Sequence, residues 1–317
     1  EIAQCLVGSE MCIRDRILIS FMMLSAIFIM VPRAQASADR INEVLDEKIG
    51  IHDPENPKTV SFAGKEATLA FNHVNYRYHG AEKLALEDID FQAKSGEIVA
   101  IIGGTGSGKT TLVNLIPRLY DIESGSIQIN GTDVSEMTQY NLRELMGFVP
   151  QKAVLFSGTI RDNMQYGKPD ATDEMIWEAL EIAQAKDFVS EMEDGLDSHV
   201  EQGGGNFSGG QRQRLAIARA LVKTADIYVF DDSFSALDFK TDANLRQALK
   251  TNMKESITVL VAQRVSTVMD ADMILVLDEG KLVGKGTHEE LLATNETYQE
   301  IVHSQLRDCL LYTSPSP

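Results

Sequence analysis

One octapeptide constrains the fold more than any other stretch of the 317-residue chain: Gly103–Thr110 reads GGTGSGKT. It matches the pattern G-x-x-x-x-G-K-[ST], in which backbone N–H groups surround phosphate oxygens. The apolar run Ile98–Ile102 precedes it and predicts a buried strand, and Thr111–Ile116 predicts a helix whose N-terminus faces the phosphates. The sequence therefore predicts a loop, between a strand and a helix, that binds the phosphates of a nucleotide.

The residue types in this loop suit a nucleotide bound with Mg²⁺. Lys109 provides a positive point charge for the β- and γ-phosphates, and the hydroxyl of Thr110 can be a ligand of Mg²⁺. The nucleotide-binding residues predicted from this stretch are Gly103, Gly104, Thr105, Gly106, Ser107, Gly108, Lys109, Thr110 and Thr111.

The charge of the chain argues against a nucleic-acid partner. The formal net charge at pH 7 is −18, the isoelectric point is about 4.7, and no long basic run occurs. Nucleic-acid binding depends on clustered lysine and arginine residues that neutralise phosphates. With 44% hydrophobic residues, the chain is long enough to bury a large core. We expect a globular protein with no nucleic-acid partner.

The two ends of the chain, Leu6–Arg16 and Cys309–Pro317, correspond to one DNA element translated from opposite strands. That element resembles a sequencing-library adapter, so we expect residues 1–16 and 308–317 to be foreign to the fold and the chain to be a fragment. All three cysteines lie in these ends. The sequence therefore predicts neither a disulfide framework nor a cysteine metal site.

The apolar run Ile17–Val31 carries no charge over 15 residues, whereas a membrane span needs about 20. Two interpretations are open: a signal peptide, or the cytoplasmic end of a transmembrane helix whose start is missing. The second is favoured because Arg33 and Arg40 follow the run, as at a cytoplasmic exit. We expect residues 17–48 to be this helix with its cytoplasmic extension, and residues 49–66 to be a linker.

From residue 67 onward, strands and helices alternate, which predicts an α/β core with a mostly parallel sheet. Thr68–Tyr78 and Leu84–Phe91 are predicted as a pair of strands around a turn at Gly80. Asn141–Met146 is predicted as a helix. Near the end, Lys281–Lys285 is predicted as an edge strand and Thr287–Leu306 as one helix.

Two further stretches carry candidate site residues. Asp231 follows the apolar strand Ile227–Phe230, and a carboxylate there can hold Mg²⁺ through water. Asn206–Gln211 reads NFSGGQ and leads into an arginine-rich helix. Its serine, its glycine amides and the helix N-terminus predict a second anion site, with a flexible glycine hinge as the alternative.

These motifs, in this order, resemble the nucleotide-binding domain of an ABC transporter, over about Ala67–Leu306. The resemblance implies a P-loop NTPase core at 67–307, with an antiparallel β subdomain and a helical subdomain at about 152–222 that carries NFSGGQ. It implies ATP and Mg²⁺ as cofactors and ATP hydrolysis coupled to transport across a cell membrane. Residues 17–48 resemble the last transmembrane helix of an exporter half-transporter, with the domain on the cytoplasmic side.

The resemblance also assigns roles by position. Tyr78 resembles the aromatic residue that stacks on adenine, and Gln151 resembles the glutamine that contacts Mg²⁺ or the attacking water. Asp238 lies in a stretch that resembles the D-loop between paired domains. In this family two domains meet head to tail, which implies that the signature residues contact ATP on a partner's P-loop. Those residues are Ser208, Gly209, Gly210 and Gln211.

Two positions depart from the family pattern. Asp232 stands where the family has the glutamate that polarises the attacking water, and Gln263 stands where it has histidine. Aspartate is one methylene shorter, which retracts the carboxylate by about 1.5 Å, and a misplacement near 1 Å can cost about 10²-fold in rate. Glutamine cannot carry a positive charge. The predicted catalytic set is therefore Asp232, Gln263, Gln151 and Lys109.

This pattern resembles the degenerate-site subunit of heterodimeric bacterial ABC exporters, often of the multidrug type. The resemblance implies a weakly hydrolysing site on this chain and a competent site on a different partner half-transporter, completed by the signature of this chain. The alternatives are a homodimeric exporter with two equivalent sites and an importer ATPase. The transported substrate is not predicted.

Overall fold

The computed structural model describes residues 2–47, 50–60 and 67–312, and it divides into two compact units, 1–52 and 53–317. The first unit is one helix, α1 (Ile2–Leu45), with Pro32 inside it. Over Ile13–Leu45 this helix is long and apolar enough to cross a membrane, by length and composition. Its backbone runs through Leu6–Arg16, and the adapter origin of that stretch stays a prediction.

The second unit contains twelve strands and ten helices among the residues that the structure describes. The strands are β1 (Thr68–Tyr76), β2 (Leu86–Lys94), β3 (Ile98–Gly103), β4 (Ser124–Ile129), β5 (Thr132–Asp133), β6 (Met146–Val149), β7 (Gly158–Thr159), β8 (His199–Val200), β9 (Ile227–Asp231), β10 (Ile257–Val261), β11 (Met273–Asp278) and β12 (Lys281–Gly286). The helices are α2 (Lys109–Leu115), α3 (Gln139–Glu144), α4 (Ile160–Gln165), α5 (Asp173–Ile182), α6 (Lys186–Ser190), α7 (Gly209–Leu221), α8 (Phe239–Asn252), α9 (Val265–Val268), α10 (His288–Thr294) and α11 (Glu296–Tyr312).

Ten of the strands form one sheet in the order β5-β4-β1-β2-β12-β11-β3-β10-β9-β6. The strands β11, β3, β10, β9 and β6 pair in parallel, whereas β1 pairs antiparallel with both β2 and β4. The α/β prediction with a mostly parallel core and an antiparallel part is therefore confirmed. Because β3, β9 and β10 run in parallel, their carboxyl ends meet at one edge of the sheet.

The parallel part of the sheet is buried on both faces. In β3, Val99 and Ile101 belong to one hydrophobic cluster, and Ala100 and Ile102 belong to another. Successive strand residues point to opposite faces, so burial of both faces requires an unbroken apolar run, as the sequence has. The range predicted as a helical subdomain contains helices α4 to α7 and the small β7–β8 sheet.

Three local predictions were wrong. Strand β12 is not an edge strand, because it pairs antiparallel with β11 and in parallel with β2. Its residues alternate between exposed and half-buried because one face of the strand is solvated, and not because an edge is open. The helix predicted at Asn141–Met146 ends at Glu144, and Met146 begins strand β6.

The helix predicted at Thr287–Leu306 is two helices, α10 and α11, separated at Asn295. The backbone of Asn295 is extended, with φ −116° and ψ 111°. Its side chain donates to the carbonyl of Val283 at 2.8 Å and accepts from the amide of Tyr298 at 2.8 Å. A short polar side chain that bonds the backbone in this way stops one helix and starts the next.

A candidate nucleotide-binding site

The glycine-rich loop connects the end of β3 to the start of α2, as predicted. Gly108 precedes the helix with φ 101° and ψ 5°, a left-handed conformation that glycine adopts without strain. A Cβ on Gly103 would lie 2.1 Å from the backbone oxygen of Leu277. Gly108 is therefore required by its backbone conformation, and Gly103 is required by its close packing against Leu277.

Lys109, the first residue of α2, folds back over the loop. Its ammonium donates to the carbonyl of Gly103 at 2.8 Å and to that of Gly104 at 2.7 Å. Burial lowers the pKa of this ammonium, and the nearby carboxylates of Asp232 and Asp231 oppose that change. A positive charge is thus held at the mouth of the loop, where a phosphate can bind it.

Asp231 lies at the carboxyl end of β9, facing the start of α2. Its side chain is 3% exposed, and the hydroxyl of Thr110 donates to its Oδ1 at 3.2 Å. Burial raises the pKa of this carboxyl, and the charge of Asp232 adds to the increase, whereas the Thr110 hydrogen bond opposes it. A hydroxyl and a buried carboxylate side by side are hard oxygen ligands of the kind that Mg²⁺ prefers. The donor set therefore fits that ion.

Asp232 adopts a left-handed backbone conformation, with φ 47°, and is 7% exposed. Its Oδ2 accepts from the side-chain amide of Gln263 at 2.6 Å and from that of Gln151 at 3.3 Å. Burial raises the pKa of the Asp232 carboxyl, and the two amide hydrogen bonds oppose that change. Three of the predicted catalytic side chains therefore meet at one carboxylate oxygen.

A cavity of about 290 Å³ opens between the loop and these strand ends. Its lining contains most of the predicted site residues: Thr105, Gly106, Gly108, Lys109, Thr110, Thr111, Gln151, Asp231, Asp232 and Gln263, with Val261 added. The buried hydroxyl of Ser107 has no hydrogen-bond partner among the described residues. The loop therefore still has unused hydrogen-bonding capacity, which a phosphate oxygen can satisfy.

Tyr78 lies beside this cavity, beyond the end of β1. Its hydroxyl is 2.9 Å from the hydroxyl of Thr111, and its ring is 41% exposed. The ring packs edge-on against Tyr76, with ring centroids 5.0 Å apart, and against Tyr120, with centroids 5.5 Å apart. Tyr120 is not predicted from the sequence, because nothing local to that residue indicates that it packs against Tyr78, 42 positions earlier.

The signature residues are not in the cavity of this chain. Ser208 caps helix α7: its hydroxyl accepts from the amide of Gln211 at 3.2 Å, and the Gln211 side chain accepts from the Ser208 amide at 2.9 Å. Ser208 and Gly209 are exposed, and Gly210 is half-buried. This reciprocal capping presents the N-terminus of α7 to solvent, as an anion site requires.

Asp238 also lies outside the cavity and caps helix α8. Its Oδ1 accepts from the amides of Lys240 at 3.1 Å and Thr241 at 3.0 Å. The hydrogen bonds from Thr241 lower the pKa of the Asp238 carboxyl. Capping is compatible with the D-loop position, because it uses the side chain of Asp238 and leaves Ser235 and Ala236 exposed.

Known proteins share this sequence and fold. A protein-family model described as ABC transporter matches residues 86–235. An uncharacterized ABC transporter ATP-binding protein of Mycobacterium tuberculosis is 45% identical over 293 residues, 92% of this chain and 50% of that protein. An ATP-dependent lipid A-core flippase of Desulfotalea psychrophila is 41% identical over 275 residues, 87% of this chain and 47% of the flippase.

A solved structure agrees with these relatives. A bacterial Atm1-family ABC exporter with ATP bound matches this chain with a TM-score of 0.80 and 32% identity, over 93% of this chain and 50% of that one. The chain spans about half the length of the relatives that it matches. The family model, the relatives and the fold agree with the order of the motifs, and the second unit therefore belongs to the ATPase domain family of ABC transporters.

Proposed function

We propose that the second unit binds ATP with Mg²⁺ in the cavity beside the glycine-rich loop, and that it serves an ABC exporter as one of two paired ATPase domains. The single observation that carries the proposal is the meeting of Lys109, Asp231 and Asp232 around that cavity. ATP hydrolysis needs a cation that binds phosphate, a carboxylate that holds a metal ion and a carboxylate that polarises the attacking water.

The position of each residue in the site indicates its role in binding ATP and Mg²⁺. Lys109 exchanges its two carbonyl bonds for phosphate oxygens, and the loop amides surround the same phosphates. Thr110 and Asp231 would hold Mg²⁺, which when bound neutralises charge on the β- and γ-phosphates. Tyr78 would stack on the adenine ring, and its hydrogen bond to Thr111 keeps the ring near the phosphate loop.

The hydrolytic step is expected to be slow at this site. Asp232 is the residue available to polarise the attacking water, but its Oδ2 already accepts from two amides. Gln263 supports it with a neutral donor, where a histidine could gain a charge. The shorter carboxylate reaches less far toward the attacking water, and one of its oxygens is already occupied by two amides, so it is less well placed to polarise that water. ATP would therefore remain bound for longer at this site than at one with glutamate and histidine.

The signature residues support a paired arrangement. Ser208 and Gly209 are exposed at the N-terminus of α7 and lie outside the cavity of their own chain. We propose that they complete an ATP site on a second half-transporter that carries glutamate and histidine at the two divergent positions. The partner is then a different chain, as in a heterodimeric exporter.

The helix of the first unit supports attachment to a membrane. Ile13–Leu45 is long and apolar enough to cross a bilayer, and the matching flippase and exporter are membrane transporters by name. We propose that residues 17–48 are the end of a transmembrane helix and its cytoplasmic extension. The ATPase unit would then lie on the cytoplasmic side, where ATP is available.

The test is ATP binding and turnover by the purified chain. We expect Mg²⁺-dependent ATP binding with slow turnover, and a higher turnover for Asp232→Glu in a complex reconstituted with the partner subunit. The gain is at most about 10²-fold, the cost of a carboxylate displaced by about 1 Å. The control is Asp278→Glu, which adds the same methylene to an exposed aspartate at the end of β11.

Two results would contradict the proposal in different ways. Fast turnover by the wild-type chain alone, abolished by Asp232→Ala, would overturn the weak-site proposal and favour a homodimer with two equivalent sites. Absence of Mg²⁺-dependent ATP binding by the purified chain would overturn the proposed ATP site itself.

A further inference from the structure

The segment that carries Gln263 joins β10 to the short helix α9. The residue before α9 is Arg264, whose side chain makes no capping hydrogen bond to the helix. The first N–H groups of any helix have no partner within it and need one from elsewhere. The amide of Val265, a residue that is 8% exposed, must therefore find an acceptor outside its own helix.

Gln305 on helix α11 provides that acceptor, although it lies 40 positions along the chain. Its Oε1 accepts from the amide of Val265 at 2.8 Å. Its Nε2 donates to the carbonyl of Gln263 at 2.7 Å. The carboxamide of Gln305 thus satisfies two backbone groups on either side of Arg264: it accepts from the amide of Val265 and donates to the carbonyl of Gln263.

These two bonds fix the backbone from which the Gln263 side chain extends. That side chain reaches the carboxylate of Asp232 at 2.6 Å. A chain of hydrogen bonds therefore runs from α11 through Gln305 and Gln263 to Asp232. The side chain of Arg264 also contacts this region, because it donates to the carbonyl of Ser235 at 3.3 Å. That bond does not involve the backbone of Gln263.

We propose that Gln305 is a positioning residue of the ATP site: it clamps the Gln263–Val265 backbone and thereby fixes the amide of Gln263 against Asp232. This inference rests on the proposed function, because it assumes that Gln263 acts at the phosphates. Gln305 itself lies outside the lining of the cavity and acts only through Gln263.

The first experiment tests the two hydrogen bonds of Gln305 by amide hydrogen exchange, without any catalytic assay. Gln305→Met has a similar shape and loses both hydrogen bonds, and we expect amide hydrogen exchange at Val265 to accelerate by about fivefold or more. The matched control is Gln299→Met on the same helix, where the lost bond is Nε2 to the carbonyl of Leu292 at 2.8 Å. Exchange at Val265 should be unchanged in that control.

The second experiment separates positioning from general stability. Turnover and ATP affinity are measured for the full chain with Gln305→Met, Gln263→Ala and both changes together. We expect Gln305→Met to lower kcat by about fivefold to tenfold with little change in KM, and to have no further effect in the Gln263→Ala background. Gln305→Glu keeps the acceptor for Val265 and places a carboxylate against the Gln263 carbonyl, so we expect little rescue of kcat.

The outcomes are distinct. If exchange at Val265 does not change in Gln305→Met, or if the two changes lower kcat additively, the positioning role is wrong. If Gln263→Ala alone leaves kcat unchanged while exchange at Val265 accelerates, the clamp exists and the proposed role of Gln263 fails instead. A fall in kcat for Gln299→Met as large as that for Gln305→Met would also refute the inference, because the effect would then be general to α11.

Discussion

Asp231 gives the sharpest prediction. Its buried charge should be unfavourable for folding, whereas the proposed Mg²⁺ site requires that charge. Burial raises the pKa of its carboxyl, so the charged form is disfavoured in the folded chain. The substitution Asp231→Asn removes the charge and keeps an oxygen that can accept from Thr110. We therefore expect Asp231→Asn to stabilise the nucleotide-free chain at pH 7.

The size of this effect follows from the linkage between pKa and stability. A pKa elevation of one unit corresponds to about 1.4 kcal/mol. Because Asp231 borders an open cavity and Lys109 is nearby, the penalty per unit of elevation is smaller than that figure. Each gain of about 1 kcal/mol raises the melting temperature of a domain of this size by about 2–4 °C.

The pH dependence has a definite sign. A carboxyl whose pKa is raised by folding destabilises the fold above that pKa, and the penalty disappears as the pH falls through it. The advantage of Asp231→Asn should therefore be largest at pH 7 and should shrink as the pH falls toward the ordinary aspartate value of 3.8.

Nucleotide should reverse the order of stability. At a ligand concentration of 100 times Kd, binding stabilises a folded protein by about 2.7 kcal/mol. The wild-type chain should gain this with ATP and Mg²⁺, whereas Asp231→Asn should lose the Mg²⁺-dependent part. In saturating Mg²⁺ and ATP the wild type should melt at the higher temperature.

The assay is thermal unfolding of both chains at pH 7 and pH 5, with and without Mg²⁺ and ATP. The control is Asp242→Asn, another buried aspartate, whose Oδ2 lies 3.4 Å from Nη2 of Arg246. Burial raises the pKa of this carboxyl too, so we expect Asp242→Asn to stabilise the nucleotide-free chain in the same direction, with an unaltered response to nucleotide because Asp242 lies outside the cavity. A lower melting temperature for nucleotide-free Asp231→Asn at pH 7, or an undiminished Mg²⁺ response, would refute the reasoning.

Substitutions at three further residues test other parts of the site. Tyr78→Phe, which loses only the hydroxyl that contacts Thr111, should weaken ATP binding much less than Tyr78→Ala, measured by fluorescence titration; equal losses would exclude ring stacking. Ser208→Ala removes the cap of α7 and should lower the free energy of unfolding by about 1 kcal/mol in chemical denaturation, while ATP binding to this chain stays unchanged. Gly103→Ala places a Cβ 2.1 Å from the oxygen of Leu277 and should cost about 1–3 kcal/mol by the same measurement; a neutral result would mean that β11 can move aside.

The parts predicted best from the sequence are those governed by neighbours in the chain. The glycine-rich loop, the flanking strand and helix, and the carboxylate at the end of β9 follow from local apolar runs and glycine positions. The ends of helices were predicted only approximately, because they depend on which side chains cap which backbone groups. Asn295 illustrates this: its bond to Val283 divides a continuous helical pattern in two.

The parts that local rules missed depend on partners that are distant in the sequence. Strand β12 carries Lys281 and Lys285, and lysines are typical of edge strands, but β2, almost 200 positions earlier, pairs with it on the side away from β11. The pattern of one sequence indicates which residues prefer a half-solvated strand, but it does not indicate which strand pairs with them.

The sequence alone determined the family, the phosphate loop and the two divergent residues, Asp232 and Gln263. Each of these depends on residue identity or on short spacing along the chain. Only the tertiary structure decided that Gln151 and Gln263 share one oxygen of Asp232, and that Gln305 holds the Gln263 backbone. These contacts join residues 31 to 81 positions apart, and their geometry exists only after the sheet and its covering helices have packed.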